Sequence, residues 1–516
     1  MCDMARNGEL AGAWPEALRN ASPYRGAGPD TSEANQHTRV LPLLKAFNWP
    51  AVLAVVGRWT DTPANEPVLF GTLQRPRAQF MTWNDVREVA QSGLVEIAAH
   101  TDDLHYGIPA NPQGNTQPAA AVRRHDPGTG TYETEAHYRQ RIAADATAIA
   151  RKIEATTGKA PRVWVWPYGE ASGTAIEEIR QAGFRLFMTL DWGLADIDRP
   201  ENMPRLLISE NPSVSEFART AVAMEESSLT RALSVSLDSI YSPDPAETER
   251  RVGELVQYVA DLHVNTVYLS PLSGTGQAEQ PTSAYFPNSH LPVRADLFNR
   301  VAWQLRTRAE VVVYAQMPVA GLQTSSGALS HDQTLEVISD LAGHSIFAGL
   351  LLEDPQGGWD WAAQQRGIEL LERARRIRGP QLKSAALLAP AALPAPAGSA
   401  VPEGPWVGMS KHFERLVAAP ANEDQMRLLM AALNEADRAN VVLATSMSPD
   451  DDTESPKIAL QLARYEALGA RHLALLLPAT NMRLAGVIAA HRDGRPALPD
   501  LAVIRPALSN SWYPFP

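Results

Sequence analysis

The sequence predicts an α/β protein of two successive parallel domains, the second a (β/α)8 barrel. Three observations carry that prediction. Short apolar runs of strand length alternate with longer stretches of helical spacing, and hairpin signals are few, which is the pattern of parallel rather than antiparallel sheet. Between Ala232 and Leu477 eight such runs recur, the number that a closed barrel needs. The 516 residues, 45% of them hydrophobic and 20% charged, are enough to bury two separate cores.

Taken in order, residues 1–37 are polar, carry Gly and Pro, and show neither strand nor helix periodicity, so they read as an irregular segment. The spacing then predicts a helix over Leu41–Phe47, a strand over Ala51–Val56, and a helix from Trp83 to Ser92 with Thr82 as its N-cap. Val95-Glu96-Ile97-Ala98-Ala99 alternates as a half-buried strand and opens onto His100-Thr101-Asp102-Asp103-Leu104-His105. A long loop with Gly107, Pro109, Pro112 and Gly114 follows, then a helix over about 133–157, a strand ending at Trp166, a helix after Ser172 and a strand over 186–191. Domain boundaries are expected at 38–215 and 230–516, joined by a short linker between Asn211 and Arg231.

The eight candidate strands of the second domain are Ala232–Leu237, Asn265–Leu269, Val311–Gln316, Ala348–Leu352, Ser384–Leu388, Trp406–Ser410, Asn440–Thr445 and His472–Leu477. Helical stretches separate most of them. The exception is Ala389 to Gly404, too rich in proline for a regular helix, so one wall of the barrel reads as thinned.

Charge and composition narrow the function. A net charge of -12 argues against non-specific nucleic-acid binding and tolerates a neutral or cationic polymer. The single cysteine, Cys2, excludes an intramolecular disulfide and any multi-cysteine metal site. No apolar run approaches a membrane span, and the first residues lack the apolar core of a secretory signal.

His100 and His105, delivered by one strand end, are a metal-type pair, although zinc-type sites need a third protein ligand. Arg162-Val-Trp-Val-Trp-Pro-Tyr-Gly-Glu170 is a second strand ending in a turn that sets backbone N–H groups and flat rings beside a cleft. These motifs, with Tyr106-Gly107-Ile108-x-Ala110-Asn111 and Trp166-Pro167-Tyr168-Gly169-Glu170-Ala171, resemble the poly-β-1,6-N-acetylglucosamine N-deacetylases of biofilm export systems, within the NodB-type polysaccharide deacetylases. The resemblance runs from about Thr38 to the C-terminus and includes Phe286-Pro287-Asn288, Arg294-Ala295-Asp296, the run Val301–Arg308 and Ile504-Arg505-Pro506.

The resemblance implies a deformed NodB-type barrel lacking its first strand, followed by a glycoside-hydrolase-like TIM barrel. It implies amide hydrolysis by a metal-activated water, with a divalent ion (zinc, nickel, cobalt or iron) on His100 and His105. It also implies Asp30 as catalytic base, the backbone N–H of Tyr168 facing the oxyanion, and Trp166, Pro167 and Tyr168 lining the sugar site. Without the resemblance Asp30 reads equally as an ordinary loop residue, and Trp166 and Tyr168 as core. An amino-sugar polysaccharide, export machinery of the outer membrane and a place in the cell envelope or periplasm are implied, and no nucleic acid.

The sequence departs from that family in instructive places. Thr31 stands where the family has a metal-ligand Asp, so the metal is expected to be weakly held; the family carries Asp at the Asp103 position without using it as the ligand, which makes Asp102 the one new replacement candidate. In the second domain Asp238 ends the first strand and Glu353-Asp354 ends the fourth, where the family shows Asp-x-Asp and His-Asp-Asp. Ser236 and Pro355 replace one acid of each pair, and Gln316 replaces an aromatic sugar platform. Asp238 and Asp354 are the expected catalytic carboxylates and Glu353 a substrate-binding one. A catalytically impaired glycan-binding or export-scaffold protein on the same fold is the alternative.

Overall fold

The computed structural model describes residues 2–3, 36–208, 212–223, 229–274, 281–394, 406–434, 438–446 and 455–477. The chain divides into two compact units, Met1–Ser227 with Arg378–Gln381, and Ser228–Ile377 with Leu382–Pro516.

In the first unit six of the described strands form one open sheet. Its strands are β1 (Cys2–Asp3), β2 (Ala51–Val55), β3 (Val95–Ala99), β4 (Val163–Val165), β5 (Leu186–Thr189) and β6 (Met203–Pro204), in that spatial order. From β2 to β6 every pairing is parallel. Such strands are covered on both faces, which is why Val55, Ala98, Ala99 and Val165 are fully buried. The covering helices include α2 (Trp83–Gln91), α3 (Glu135–Thr157) and α4 (Gly173–Gln181). Local sequence sets their starts. Thr82 and Asp85 make a reciprocal capping box at α2, and Thr134 and Ser172 cap α3 and α4.

Four expectations need correction. Residues 1–37 do contribute to the sheet, because Cys2 and Asp3 pair antiparallel with Leu53 and Val52 on the edge of β2. Main-chain pairing of two residues needs no apolar alternation, so periodicity could not register it. The linker before Arg231 holds a helix, Val214–Ala223, and its signal was legible: the Ser213 hydroxyl accepts from Glu216 N at 3.3 Å and the Glu216 carboxylate accepts from Ser213 N at 2.7 Å. The loop after His105 is not featureless. It carries two small hairpins, Gly107–Pro109 with Thr116–Pro118 and His125–Asp126 with Thr131–Tyr132. The fourth correction falls on the barrel.

The second unit is a closed barrel of eight parallel strands: β7 (Arg231–Ser236), β8 (Thr266–Ser270), β9 (Val312–Pro318), β10 (Gly349–Glu353), β11 (Lys383–Leu388), β12 (Arg415–Ala418), β13 (Val441–Ser446) and β14 (His472–Leu476). Parallel pairing of Arg231 with Leu473 closes the ring. The sixth strand is Arg415–Ala418, not Trp406–Ser410, which contains the helical turn Trp406–Met409. A short apolar run fits either state, and here only closure of the barrel selects the strand. The Pro-rich stretch forms a single turn at Pro390–Ala392 before the described residues stop.

Strand alternation sorts the barrel residues into two sets. Ala232, Tyr268, Tyr314, Leu351, Ala385, Val417, Val442 and Ala474 fill the interior, with Tyr268 and Tyr314 edge to face at 5.6 Å. Their sequence neighbours Leu233, Val267, Val313, Leu350 and Leu352 face the helices. Further along the strands, two residues past Tyr268, Tyr314 and Leu351 and four past Ala232, the side chains of Ser270, Gln316, Glu353 and Ser236 face inward at the C-terminal mouth.

Candidate active site

His100 follows β3 directly, between β2 and β4, and its backbone N–H donates to Val55 O at 2.8 Å. Its ring is buried, and Nδ1 lies 2.6 Å from the Val165 carbonyl on β4. A carbonyl accepts only from an N–H, so Nδ1 carries the proton and Nε2 keeps its lone pair for a ligand. His105 is brought back by the intervening loop until the two ring centroids are 4.8 Å apart.

Aromatic rings surround His105. Trp59 and Tyr168 each lie 4.7 Å from it, centroid to centroid, and Phe70 lies at 6.0 Å. Trp59 sits in α1 (Gly57–Asp61), and its indole N–H donates to Leu69 O in the hairpin Val68–Phe70 with Leu73–Arg75. Burial among these groups depresses both imidazoles. His105 is pushed down to about 4, and His100 well below its ordinary value, first by loss of solvent and then by the neighbouring His105. Two neutral imidazoles result at pH 7.

The turn after β4 supplies Tyr168. Trp166 and Pro167 are buried, Trp166 packing against Trp164 and Phe187, whereas Tyr168 is 48% exposed. Of the three expected sugar-site residues, only Tyr168 presents its ring to solvent. It holds a left-handed backbone, φ 56°, and Gly169 after it has φ 76°. A Cβ on Gly169 would stand 2.5 Å from Leu190 Cβ, so the tight turn that lifts Tyr168 over His105 requires glycine.

Asp30 and Thr31 lie outside the described residues. The replacement candidate Asp102 does not join the histidines. The Asp102 carboxylate is engaged by Lys152 Nζ at 2.6 Å, and among the described residues no group of three His, Cys, Asp or Glu side chains could hold a metal. The donor chemistry still fits part of a divalent-ion site: two neutral nitrogen ligands, one of them oriented by the Val165 carbonyl.

In the barrel, Asp238 and Asp354 both follow strand C-termini and share one rim. Neither carboxylate is idle. Asp238 accepts from Ser273 Oγ at 2.6 Å, Gly274 N at 3.0 Å, Tyr285 Oη at 2.6 Å and Arg294 at 3.3 Å. Asp354 accepts from three backbone N–H groups of its own loop, at Gln356, Gly358 and Trp359. Glu353 differs. It points into the mouth, accepts from Gln316 Nε2 at 2.9 Å, and burial raises its pKa against the smaller opposing effect of that bond.

Residues 27–187 match the family described as polysaccharide deacetylase, and residues 234–342 match a hypothetical glycosyl hydrolase family 13. This chain belongs to the polysaccharide deacetylase family. A poly-β-1,6-N-acetyl-D-glucosamine N-deacetylase of Escherichia coli K12 is 37% identical over 416 residues, 68% of this chain. The chain spans 62% of the length of that curated relative. Among solved structures, a deacetylase domain from Bordetella bronchiseptica is 42% identical, covering 34% of this chain and 68% of that one, with a TM-score of 0.33. A de-N-acetylase from Aggregatibacter actinomycetemcomitans is 37% identical, covering 37% and 71%, with a TM-score of 0.35. This polysaccharide deacetylase homologue therefore joins a deacetylase domain to a glycoside-hydrolase-like barrel.

Sequence reasoning missed three contributors to the first site. Trp59, in α1, and Phe70, in the hairpin Val68–Phe70 with Leu73–Arg75, reach His105 only through tertiary packing. Asp145 did leave a signal. It interrupts the buried face of α3 formed by Tyr138, Ile142, Ala146, Ile149 and Ile153, and a carboxylate on such a face needs a partner.

Proposed function

We propose that the first unit removes N-acetyl groups from poly-β-1,6-N-acetyl-D-glucosamine, with His100 and His105 as ligands of a weakly held divalent metal. The observation that carries this reading is the pairing of two neutral imidazoles 4.8 Å apart, one with Nδ1 tied to the Val165 carbonyl, beneath the exposed ring of Tyr168. A bound divalent ion would activate water and polarise the amide carbonyl. The protein's own part is to keep both imidazoles unprotonated, to exclude water from His105 with Trp59 and Phe70, and to offer the Tyr168 ring to a sugar face. Asp30 as base and the Tyr168 backbone N–H as oxyanion donor complete the proposal. An amino-sugar polymer, outer-membrane export machinery and a periplasmic or envelope location belong to the same reading. Among the described residues no helix is long and apolar enough to cross a membrane.

For the barrel we favour glycan binding over efficient cleavage, the impaired or scaffold alternative. Asp354 is consumed by its own loop and Asp238 by four donors, which leaves Glu353 as the mouth carboxyl without a cationic partner among the described hydrogen bonds. Trp361, 74% exposed and two residues past that loop, offers an aromatic face on the rim. The deciding experiment for the first unit is metal analysis of purified protein with acetate release from a short N-acetylglucosamine oligomer. Acetate release lost on chelation is expected. Release unaffected by chelation and by His100→Ala refutes the metal reading. For the barrel, calorimetric binding of a de-N-acetylated oligomer with no cleavage products is expected, and robust cleavage abolished by Asp354→Asn refutes it.

A further inference from the structure

Four residues, Thr101 to Leu104, separate the two histidines, and the structure ties their backbone down from both sides. The Asp145 carboxylate, buried on α3, accepts from Asp102 N at 2.9 Å through one oxygen and from Asp103 N at 2.6 Å through the other. On the opposite side the carbonyls of Thr101 and Asp102 accept from the N–H groups of Gly57 and Arg58, at 3.2 and 2.7 Å, at the start of α1. The Thr101 hydroxyl accepts from Leu104 N at 3.2 Å, and Thr101 itself is bent into the left-handed region at φ 75°. Lys152, two turns along α3 from Asp145, pins the Asp102 side chain and reaches Asp61 of α1 as well, at 2.6 Å each. The fit leaves no slack. A Cβ on Gly57 would stand 1.9 Å from Asp102 Oδ1.

We propose that Asp145 is a positioning residue of the candidate metal centre, acting with Lys152 and Gly57 as a clamp on Thr101–Asp103 that fixes the separation of His100 and His105. The assignment rests on the metal reading of those histidines. His100 is already oriented by β3 and by the Val165 carbonyl, so the strand needs no help there. His105 has no strand of its own. Its place depends on the path of the five residues that follow His100, and a left-handed Thr101 in that path costs energy that something must offset. A carboxylate is the group for the task, because it presents two acceptor oxygens to two neighbouring N–H donors at once. An amide presents one. Ordering the loop in advance also removes the entropy a metal would otherwise have to overcome when it drew the two imidazoles together.

The test uses the full chain and two measurements. Cobalt(II) titration, read by its visible absorption, reports affinity at the paired imidazoles, and hydrogen exchange reports protection of the amides from Thr101 to Leu104. Asp145→Asn, which keeps the size and removes one acceptor, is expected to weaken cobalt binding at least about tenfold, the range for loss of an outer-shell partner. Exchange should accelerate in the same loop and stay unchanged at Val163–Val165. Lys152→Met keeps Asp145 and its two backbone hydrogen bonds and releases the Asp102 and Asp61 side chains, so a smaller loss is expected, and it serves if Asp145→Asn does not fold. Wild-type cobalt affinity in both variants, with unchanged exchange at Thr101–Leu104, overturns the clamp. A wild-type chain that takes up no cobalt overturns the metal reading and the role given to Asp145 with it. The two failures are thus told apart by the wild type alone.

Discussion

Acid should open the barrel at its seam, and His472 sets where. This residue begins β14, the strand that closes the ring onto β7, and it is 1% exposed. Its Nδ1 accepts from Thr230 N and its Nε2–H donates to Ala439 O, both at 2.8 Å. Protonation would turn Nδ1 into a donor facing a donor, beside three cationic neighbours. Burial first, then Arg415, with smaller contributions from Arg471 and Arg231, lowers the His472 pKa to about 4, against the Ala439 bond that raises it. The unfolded chain therefore binds this proton more readily than the folded one. The stabilisation is complete above the unfolded value of 6.5 and is lost as pH falls toward the folded one. At about 1.36 kcal/mol per pH unit the whole loss is about 3 kcal/mol, of which about 2 kcal/mol is gone by about pH 5. The assay is urea unfolding at about pH 7 and about pH 5, read by hydrogen exchange at β7 and β14 so that the first unit does not enter. Wild type should lose about 2 kcal/mol more than His472→Gln over that interval, because the other titrating groups cancel in the difference. Equal losses in the two proteins would refute the argument.

Other outcomes follow from the same geometry. Gly57→Ala should destabilise the first unit by about 1–3 kcal/mol, since the added methyl must push Asp102 off Lys152; thermal unfolding of the variant checks it, and an unchanged midpoint contradicts the contact. Glu353→Gln removes a carboxyl whose raised pKa makes ionisation costly, so the variant should equal or exceed wild type in stability at neutral pH and lose that advantage in acid. Urea curves at the two pH values decide between that and a loss at both. Thr31→Asp should tighten cobalt binding if residue 31 lies beside the histidines, because a carboxylate ligates a divalent ion far better than a hydroxyl. No change in affinity would separate that segment from the metal centre.

The sequence by itself determined element type wherever a period ran long enough. Helices α2, α3 and α4 begin at the capping residues that local hydrogen bonding demands, and seven of the eight barrel strands lie where apolar runs put them. It also brought His100, His105 and Tyr168 forward as chemistry, since strand ends and a Pro-Tyr-Gly turn are local signals. What the sequence could not carry was anything that depends on a partner distant along the chain. The sixth strand is Arg415–Ala418 because a closed barrel needs a neighbour for both Ala385 and Val441, and so short an apolar run alone does not choose between helix and strand. Asp354 reads as catalytic after its strand, yet its carboxylate caps its own loop, while Glu353, one residue earlier, is turned inward by strand alternation and met by Gln316 from the adjacent strand. Asp102 reads as a spare ligand, yet Lys152, fifty residues away, holds it. Tertiary structure decided these cases because a carboxylate's role is set by which donors surround it, and those donors come from elements that only packing brings together.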